Sequence, residues 1–504
     1  MDRLHELLSF KSLALVFTGG DFWIFFLIIY VGFAAIHSQK AMRTMYLLAA
    51  SWFLYYKTGG SFVALLILST IVSYLLGMLI HRTPSMLVRK ASVATGITFH
   101  LFMLGYYKYS YFIVNSINDL FGTSLKVVDH FAQFANQLKG DQTFNVTDIL
   151  LPLGISFFTF KIISYLVDIY RKDLVPAKNI FDYSLYLAFF PSLIMGPITR
   201  AGDFLPQLQK PTNITREQFG HGVWMILKGL FKKMFIADYL TVNFIDRVFD
   251  NPHTYTGFEH LAAIFSYSIQ IYCDFSGYTD IAIGLALLMG FILKDNFNSP
   301  YKALNVADFW RRWHISLSSF LRDYLYIPLG GNRHGKFRTE VNLMLTMLLG
   351  GLWHGASWQF VIWGGLNGLG LLVYKNWKKI SPYEKSNNWI VIAWKVMLTF
   401  TFITFTRIFF RSETMEGVET FFHQVAHNFA WELIPKVLWS YKGVFAVAVL
   451  GMVLHWLPYS WKGTLEKTFI EAPAPLQVGF SVLVILIIYQ SVSADMVPFI
   501  YLQF

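Results

Sequence analysis

A chain of 504 residues that is 55% hydrophobic and 18% aromatic, with 14% charged residues and a mean hydropathy of +0.46, excludes a set of water-soluble domains. Its formal net charge of +11 does not point to nucleic acid, because the basic residues sit in short clusters between apolar runs, the pattern of cytoplasmic headgroup contacts. The one cysteine, Cys273, excludes an internal disulfide and a cysteine metal cluster.

Apolar runs recur along nearly the whole length and are long and continuous, so the chain reads as an all-α polytopic membrane protein rather than a β-barrel. The first seventeen residues show no clean signal-peptide cleavage pattern and read as mature sequence. Spans are predicted over residues 22–36, 45–56, 61–80 and 91–117, the last ending in a tyrosine-rich patch suited to an interface belt. Residues 118–148 are more polar and predict an extramembrane loop with a short amphipathic helix.

Residues 150–170 are apolar but carry Lys161 and Asp168, and residues 183–198 are broken by Pro191, Gly196 and Pro197. Residues 220–244 set Lys228, Lys232 and Lys233 among apolar side chains, which predicts a helix lying on the cytoplasmic face. Two segments, 258–293 and 341–374, exceed the roughly 20 residues that one span needs. Each is therefore either one long tilted helix or two shorter ones. Three closing spans are expected at 389–410, 444–457 and 476–490. There is no internal repeat and no low-complexity linker. One domain over residues 1–504 follows, with N-terminal helices in 1–120, a core in 150–375 and C-terminal helices in 388–504.

The chemistry concentrates in residues 308–374. An ionisable group in an apolar run is a functional candidate by default, because bilayer burial of charge is costly. Taken as one helix, residues 308–326 put Trp310, Trp313, His314, Leu317, Phe320, Leu321 and Tyr324 on one face. Arg311, Arg312 and Arg322 lie mainly away from that face. His314 then meets an aromatic wall with cations at the rim, or is a structural histidine in an interfacial helix. His354 lies in GGLWHGASW, with Gly350, Gly351 and Gly355 around it, so a helix break or close packing is expected there. A neutral imidazole here is a competent general base, and Ser357 and Trp358 stand close enough to orient it. Nothing in the sequence places the two histidines together. No HExxH motif or cysteine pair supports a metal, no G-x-S-x-G supports a serine nucleophile, and nothing near Cys273 activates it as an acyl acceptor. Asp274 and Asp280 fit either an ion path or pairing across the bundle.

FWRRWHISLSSFLRDYLYIPLGG from Phe309, followed by LLGGLWHGASWQFVIWGGLNG from Leu348, resembles the membrane-bound O-acyltransferase (MBOAT) family, in its bacterial alginate O-acetyltransferase-like branch. The stretches at 151–171, 189–208, 271–291, NFNSPY at 296–301, FTRIFFRSET at 405–414 and the closing PFIYLQF carry the same resemblance, which covers nearly the whole chain. The D-alanyl transferases of teichoic acid synthesis share WHxSLS-like and GLWHG-like motifs, but YLYIPLGGNRHG at 324–335 favours the alginate-type branch. Lys161, where a neutral residue is expected, and Arg407, where tryptophan is common, are departures.

The resemblance implies a bundle of about 11–13 transmembrane or re-entrant helices around a funnel or tunnel. It implies that His354 and His314 are the catalytic pair. The activity implied is transfer of an acyl group, acetyl in the simplest case, from a thioester to hydroxyls of an extracytoplasmic polysaccharide, directly or through a periplasmic partner of SGNH type. No bound cofactor is expected, acetyl-CoA or another acyl thioester being a substrate. A multi-pass location in the bacterial inner membrane follows. Substrate contacts are expected from Trp310, Arg311, Arg312, Trp313, Ser316, Arg322, Trp353, Asp274 and Tyr278, with the arginines and Lys336 drawing in the donor's phosphates. D-alanyl or longer-chain transfer, a transporter using Asp274 and Asp280, and a scaffold for a catalytic partner are the alternatives.

Overall fold

The computed structural model describes residues 17–140, 145–194 and 196–491; the N-terminal segment 1–16 and the PFIYLQF motif at 498–504 lie outside the described residues. Among the described residues the chain is helical and contains no strand. Among the described residues Lys40–Arg82, Gly257–Leu288, Trp389–Arg411 and Ala474–Ser491 are long and apolar enough to cross a membrane, and Trp431–Ser440 with Lys442–Trp456, bent by 80°, reaches that length and hydropathy only when the two are taken together, as a broken span or a re-entrant loop. The remaining helices are shorter, broken or more polar.

The predicted N-terminal spans correspond to Gly20–Ile36, Lys40–Gly59, Val63–Arg82 and Met86–Phe121, the third beginning in the short turn Gly60–Phe62. The polar stretch after them holds the expected short helix, His130–Lys139, capped by Asp129 accepting from the Phe131 and Ala132 amides. The tyrosines before it tie elements together. Tyr106 donates to Asp129, Tyr109 donates to the Leu352 carbonyl at 2.9 Å, and Tyr111 accepts from the Ile149 amide.

The segment predicted at 258–293 is one helix, Gly257–Leu288, buried over most of its length. Thr256 and Glu259 close a reciprocal cap at its start. It is the post around which the bundle packs, and glycines let its neighbour close on it. A Cβ on Gly229 would stand 2.5 Å from the Gly277 carbonyl oxygen, and one on Gly284 would stand 2.6 Å from the Gly222 carbonyl oxygen.

That neighbour corrects the surface-helix expectation for residues 220–244. Arg216–Leu230 continues through the π-helical Phe231–Asp238 and Thr241–Ile245, and its lysines turn towards the post. Lys233 is fully buried between Asp274 (2.6 Å) and Asp238 (2.7 Å), while Lys228 and Lys232 pair with Asp280. The physical reason is charge. Carboxylates on the buried post need cations, and lysines one helical turn apart supply them.

The other long segment is two helices, Gly335–His354 and Trp358–Ile380, folded into a hairpin. The break falls immediately after His354. The hairpin closes on Gly351 and Gly364, whose added Cβ atoms would meet the Phe360 and Met347 carbonyl oxygens at 2.3 and 2.4 Å.

Candidate active site

His354 is the last residue of its helix, so the carbonyls of the final turn lack intrahelical partners. Lys108 supplies them. Its Nζ donates to the Trp353 carbonyl at 2.6 Å and to the His354 carbonyl at 3.1 Å, a cation at a helix C-terminus. The His354 imidazole is buried, with the rings of Trp353, Trp363 and Phe410 at 5.0, 5.0 and 5.5 Å.

His314 reaches the same place by a different device, and this corrects the continuous helix expected over 308–326. The chain runs Val306–Arg312, breaks at an extended Trp313 and a left-handed His314, and resumes as Ile315–Leu321 followed by the π-helical Arg322–Tyr326. His314 has φ +45°. A non-glycine residue there costs on the order of 1–2 kcal/mol, so neighbours must hold it. Asn296 does so. Its carbonyl accepts from the Ile315 amide at 2.9 Å, and its Oδ1 accepts from the Ser316 amide and hydroxyl at 3.0 and 2.9 Å. Ser316 Oγ in turn accepts from the Ile198 amide. The NFNSPY loop therefore sets the break that turns His314 inward. The His314 ring is fully buried, edge-on to Phe275 at 4.7 Å and 6.4 Å from the His354 ring.

Two cavities meet at His354. One, of about 180 Å³, is lined by Lys108, Leu151, Ser156, Phe157, Ile194 and Trp353 together with His354. The other, of about 20 Å³, has room for about one water-sized group. It is walled by Phe275, Phe309, Trp313, Trp363 and Phe410, with Asn367 and Arg407 as its strongest polar groups. The Arg407 guanidinium is buried, donates to the Tyr301 hydroxyl at 2.8 Å and lies 4.8 Å from the Trp313 ring. Asn367 is buried, and its Oδ1 has no hydrogen-bond partner among the described residues.

The two histidines, Trp313 and Trp353 therefore come together, with Trp310 packed behind on Trp363 at 5.8 Å. Ser316 serves the backbone break. Arg311 is exposed over its own helix, Arg312 pairs with Asp308 at 3.0 Å, Arg322 pairs with Asp323 at 2.7 Å, and Lys336 is exposed. None of these four lines either cavity. Asp274 and Tyr278 sit at the buried Lys233, on a different face of the post, and line neither cavity. Lys108 was missed by the sequence reading, although a lone lysine within an apolar, tyrosine-rich run was the available signal. Asn367, Trp363 and Phe410 carried no signal separable from packing.

Arginines gather at a distance from the larger cavity. Arg89 donates to the Tyr170 carbonyl, Arg171 to the Asp323 carbonyl, and Arg200 pairs with Asp323, so these arginines and Arg322 gather at one end. Leu151 and Ser156 of the larger cavity stand at the start of Ile155–Arg171, and Arg171 at its finish, about 25 Å away at 1.5 Å per residue. That is close to the thickness of a hydrocarbon core.

Residues 172–411 match the model of the MBOAT, membrane-bound O-acyltransferase family. A Pseudomonas syringae pv. tomato protein named probable alginate O-acetylase AlgI is 40% identical over 403 residues, covering 80% of this chain and 73% of the relative. A Helicobacter pylori peptidoglycan O-acetyltransferase is 35% identical, covering 74% and 72%. A Bacillus subtilis teichoic acid D-alanyltransferase is 30% identical over 270 residues, covering 50% of this chain and 67% of the relative. With a buried His354 at the meeting of two cavities and His314 buried 6.4 Å from it in a helical membrane bundle, the chain belongs to the membrane-bound O-acyltransferase family.

Proposed function

We propose that this protein transfers an acetyl group from a thioester, acetyl-CoA in the simplest case, to hydroxyls of an extracytoplasmic polysaccharide. The observation that carries this reading is that His354 lines both cavities. A group at that position meets one reactant from each side.

Each residue has a role in the scheme. His354 takes the proton of the acceptor hydroxyl as its oxygen attacks the thioester carbonyl, and the thiol leaves. His314, across a 6.4 Å ring separation, orients the acceptor or donates to the developing oxyanion. Lys108 fixes the His354 backbone. The aromatic walls exclude water and so suppress thioester hydrolysis.

The arginine-rich end faces the cytoplasm by the positive-inside rule, so the donor arrives there and the larger cavity opens to the opposite side. In this reading the membrane is the bacterial inner membrane, the chain is one domain, and an SGNH-type periplasmic partner completes transfer to the polymer. The relatives named alginate O-acetylase and peptidoglycan O-acetyltransferase support an acetyl donor and a polysaccharide acceptor. The more distant D-alanyltransferase supports a D-alanyl donor as the second reading.

Purified chain in nanodiscs is given labelled acetyl-CoA and an acetylatable oligosaccharide. Wild type is expected to release CoA and pass on label, and His354→Ala to do neither. Equal behaviour of the two folded proteins removes His354 from the chemistry.

A further inference from the structure

The donor needs a phosphate site, and of the cations expected to provide it Arg312 and Arg322 are paired with carboxylates while Arg311 and Lys336 are exposed and line neither cavity. Four lysines from three parts of the chain converge instead. Lys228 and Lys232 reach Asp280 at 3.3 and 2.7 Å, and Lys232 also donates to Ser276 Oγ at 3.2 Å. Lys302, from the loop that follows the post, donates to the Leu457 carbonyl at 3.1 Å, and Lys462 donates to the His455 carbonyl at 2.9 Å. Two of these ammoniums share the Asp280 carboxylate, the other two rest on backbone carbonyls, and all four side chains are half-buried.

Their crowding acts on Lys462. Lys462, on the polar helix Tyr459–Glu471, is pushed down to about 8, by burial first and then by the ammoniums of Lys302, Lys232 and Lys228, with Asp280 opposing. A protein that packs like charges into a half-desolvated place without equal counter-charge leaves a site for an anion. Lysine is a point-charge binder of phosphate.

The location fits the same ligand. Lys294 in the loop after the post pairs with Asp203 at 2.7 Å, three residues from Arg200, which puts this loop at the arginine-rich end. Inward, Lys232 lies 5.4 Å from the Tyr272 ring. Tyr272 and Tyr301 in turn pack on Trp313 at 6.5 and 6.3 Å, and Trp313 lines the small His354 cavity. A ligand with phosphates at one end and a thioester at the other end of a flexible arm matches this arrangement.

Resting on the acyl-transfer reading for its direction, we propose that Lys228, Lys232, Lys302 and Lys462 form the donor's phosphate site, holding the diphosphate and 3′-phosphate of a coenzyme A thioester. An anionic phospholipid headgroup offers the same chemistry, and the test separates the two.

Binding of coenzyme A, and of pantetheine as its phosphate-free counterpart, is measured on full-length chain in nanodiscs with and without anionic lipid. Wild type is compared with Lys302→Ala/Lys462→Ala and with Lys302→Arg/Lys462→Arg, all with matched thermal midpoints. The expected result is an affinity for coenzyme A reduced tenfold or more in the alanine variant, kept within about threefold in the arginine variant, and the same in both lipid compositions. The loss for pantetheine is much smaller. Equal loss for both ligands, an effect present only with anionic lipid, or no effect overturns the proposal. Should the alanine variant bear out the site while wild type never cleaves acetyl-CoA, the site stands and the acyl-transfer reading falls.

Discussion

At the scale of single residues the proposed site rests on two side chains that hold the backbone of its histidines. Asn296 is buried and holds the Ser316 amide and hydroxyl at the left-handed His314. Asn296→Ala leaves two donors without an acceptor in the interior, which costs about 1–3 kcal/mol each. We expect a thermal midpoint lower by several degrees and a kcat/KM reduced at least tenfold. Differential scanning of the purified variant and an acetyl-CoA turnover assay check both. A fall in stability with full activity would show that His314 keeps its place without the loop. Lys108→Met removes the cation from the Trp353 and His354 carbonyls while keeping the bulk of the chain. Its kcat should fall about 10–100-fold with donor KM changed less than threefold, because it positions the base rather than binding the donor. A change confined to KM would reassign Lys108 to substrate binding.

At the scale of elements, glycine contacts decide how closely helices approach. The hairpin Gly335–His354/Trp358–Ile380 leaves no room at Gly351, where an added Cβ meets backbone rather than a flexible side chain. Gly351→Ala therefore cannot be absorbed by a rotamer change. It should cost about 1–3 kcal/mol as overpacking and splay the turn that carries His354. Gly335→Ala, at a position with open space but φ +83°, costs backbone strain at the far end of the same helix. Turnover of Gly351→Ala should drop well below that of Gly335→Ala at equal folded fraction. Similar turnover in the two would mean that the hairpin tolerates widening.

At the scale of the whole molecule, one buried charge group and one charge gradient organise the bundle. Lys233 joins Asp274 on the post to Asp238 on the adjacent helix. Removing one partner leaves buried charge uncompensated, at a cost of about 3–5 kcal/mol. Lys233→Met should therefore express poorly or unfold early, and Lys233→Met/Asp274→Asn/Asp238→Asn should recover much of the loss. A transporter using Asp274 would instead lose function in the triple variant at full stability. Orientation is tested with Cys273→Ser as background, Cys273 being buried. A cysteine at Lys336 should be labelled by an impermeant maleimide only after the cytoplasmic side is opened, and one at Thr147 in intact spheroplasts. Labelling of both from one side would overturn the assigned direction of transfer.

The class of molecule and the approximate helices were legible in the sequence, and so were the two histidines that the proposed mechanism uses. Apolar content, lone ionisable groups and motif spacing are local quantities that survive without coordinates. The sequence also signalled the break near His354, because three glycines crowd that position. Only the tertiary structure decided which charges are already spent. Arg312, Arg322 and Asp274 looked available until Asp308, Asp323 and Lys233 were found beside them. A helical wheel could not foresee the kink at His314, because it is imposed by Asn296, eighteen residues earlier. The meeting of both cavities at His354, and of four lysines around Asp280, are distances between remote segments, fixed by packing rather than by order along the chain.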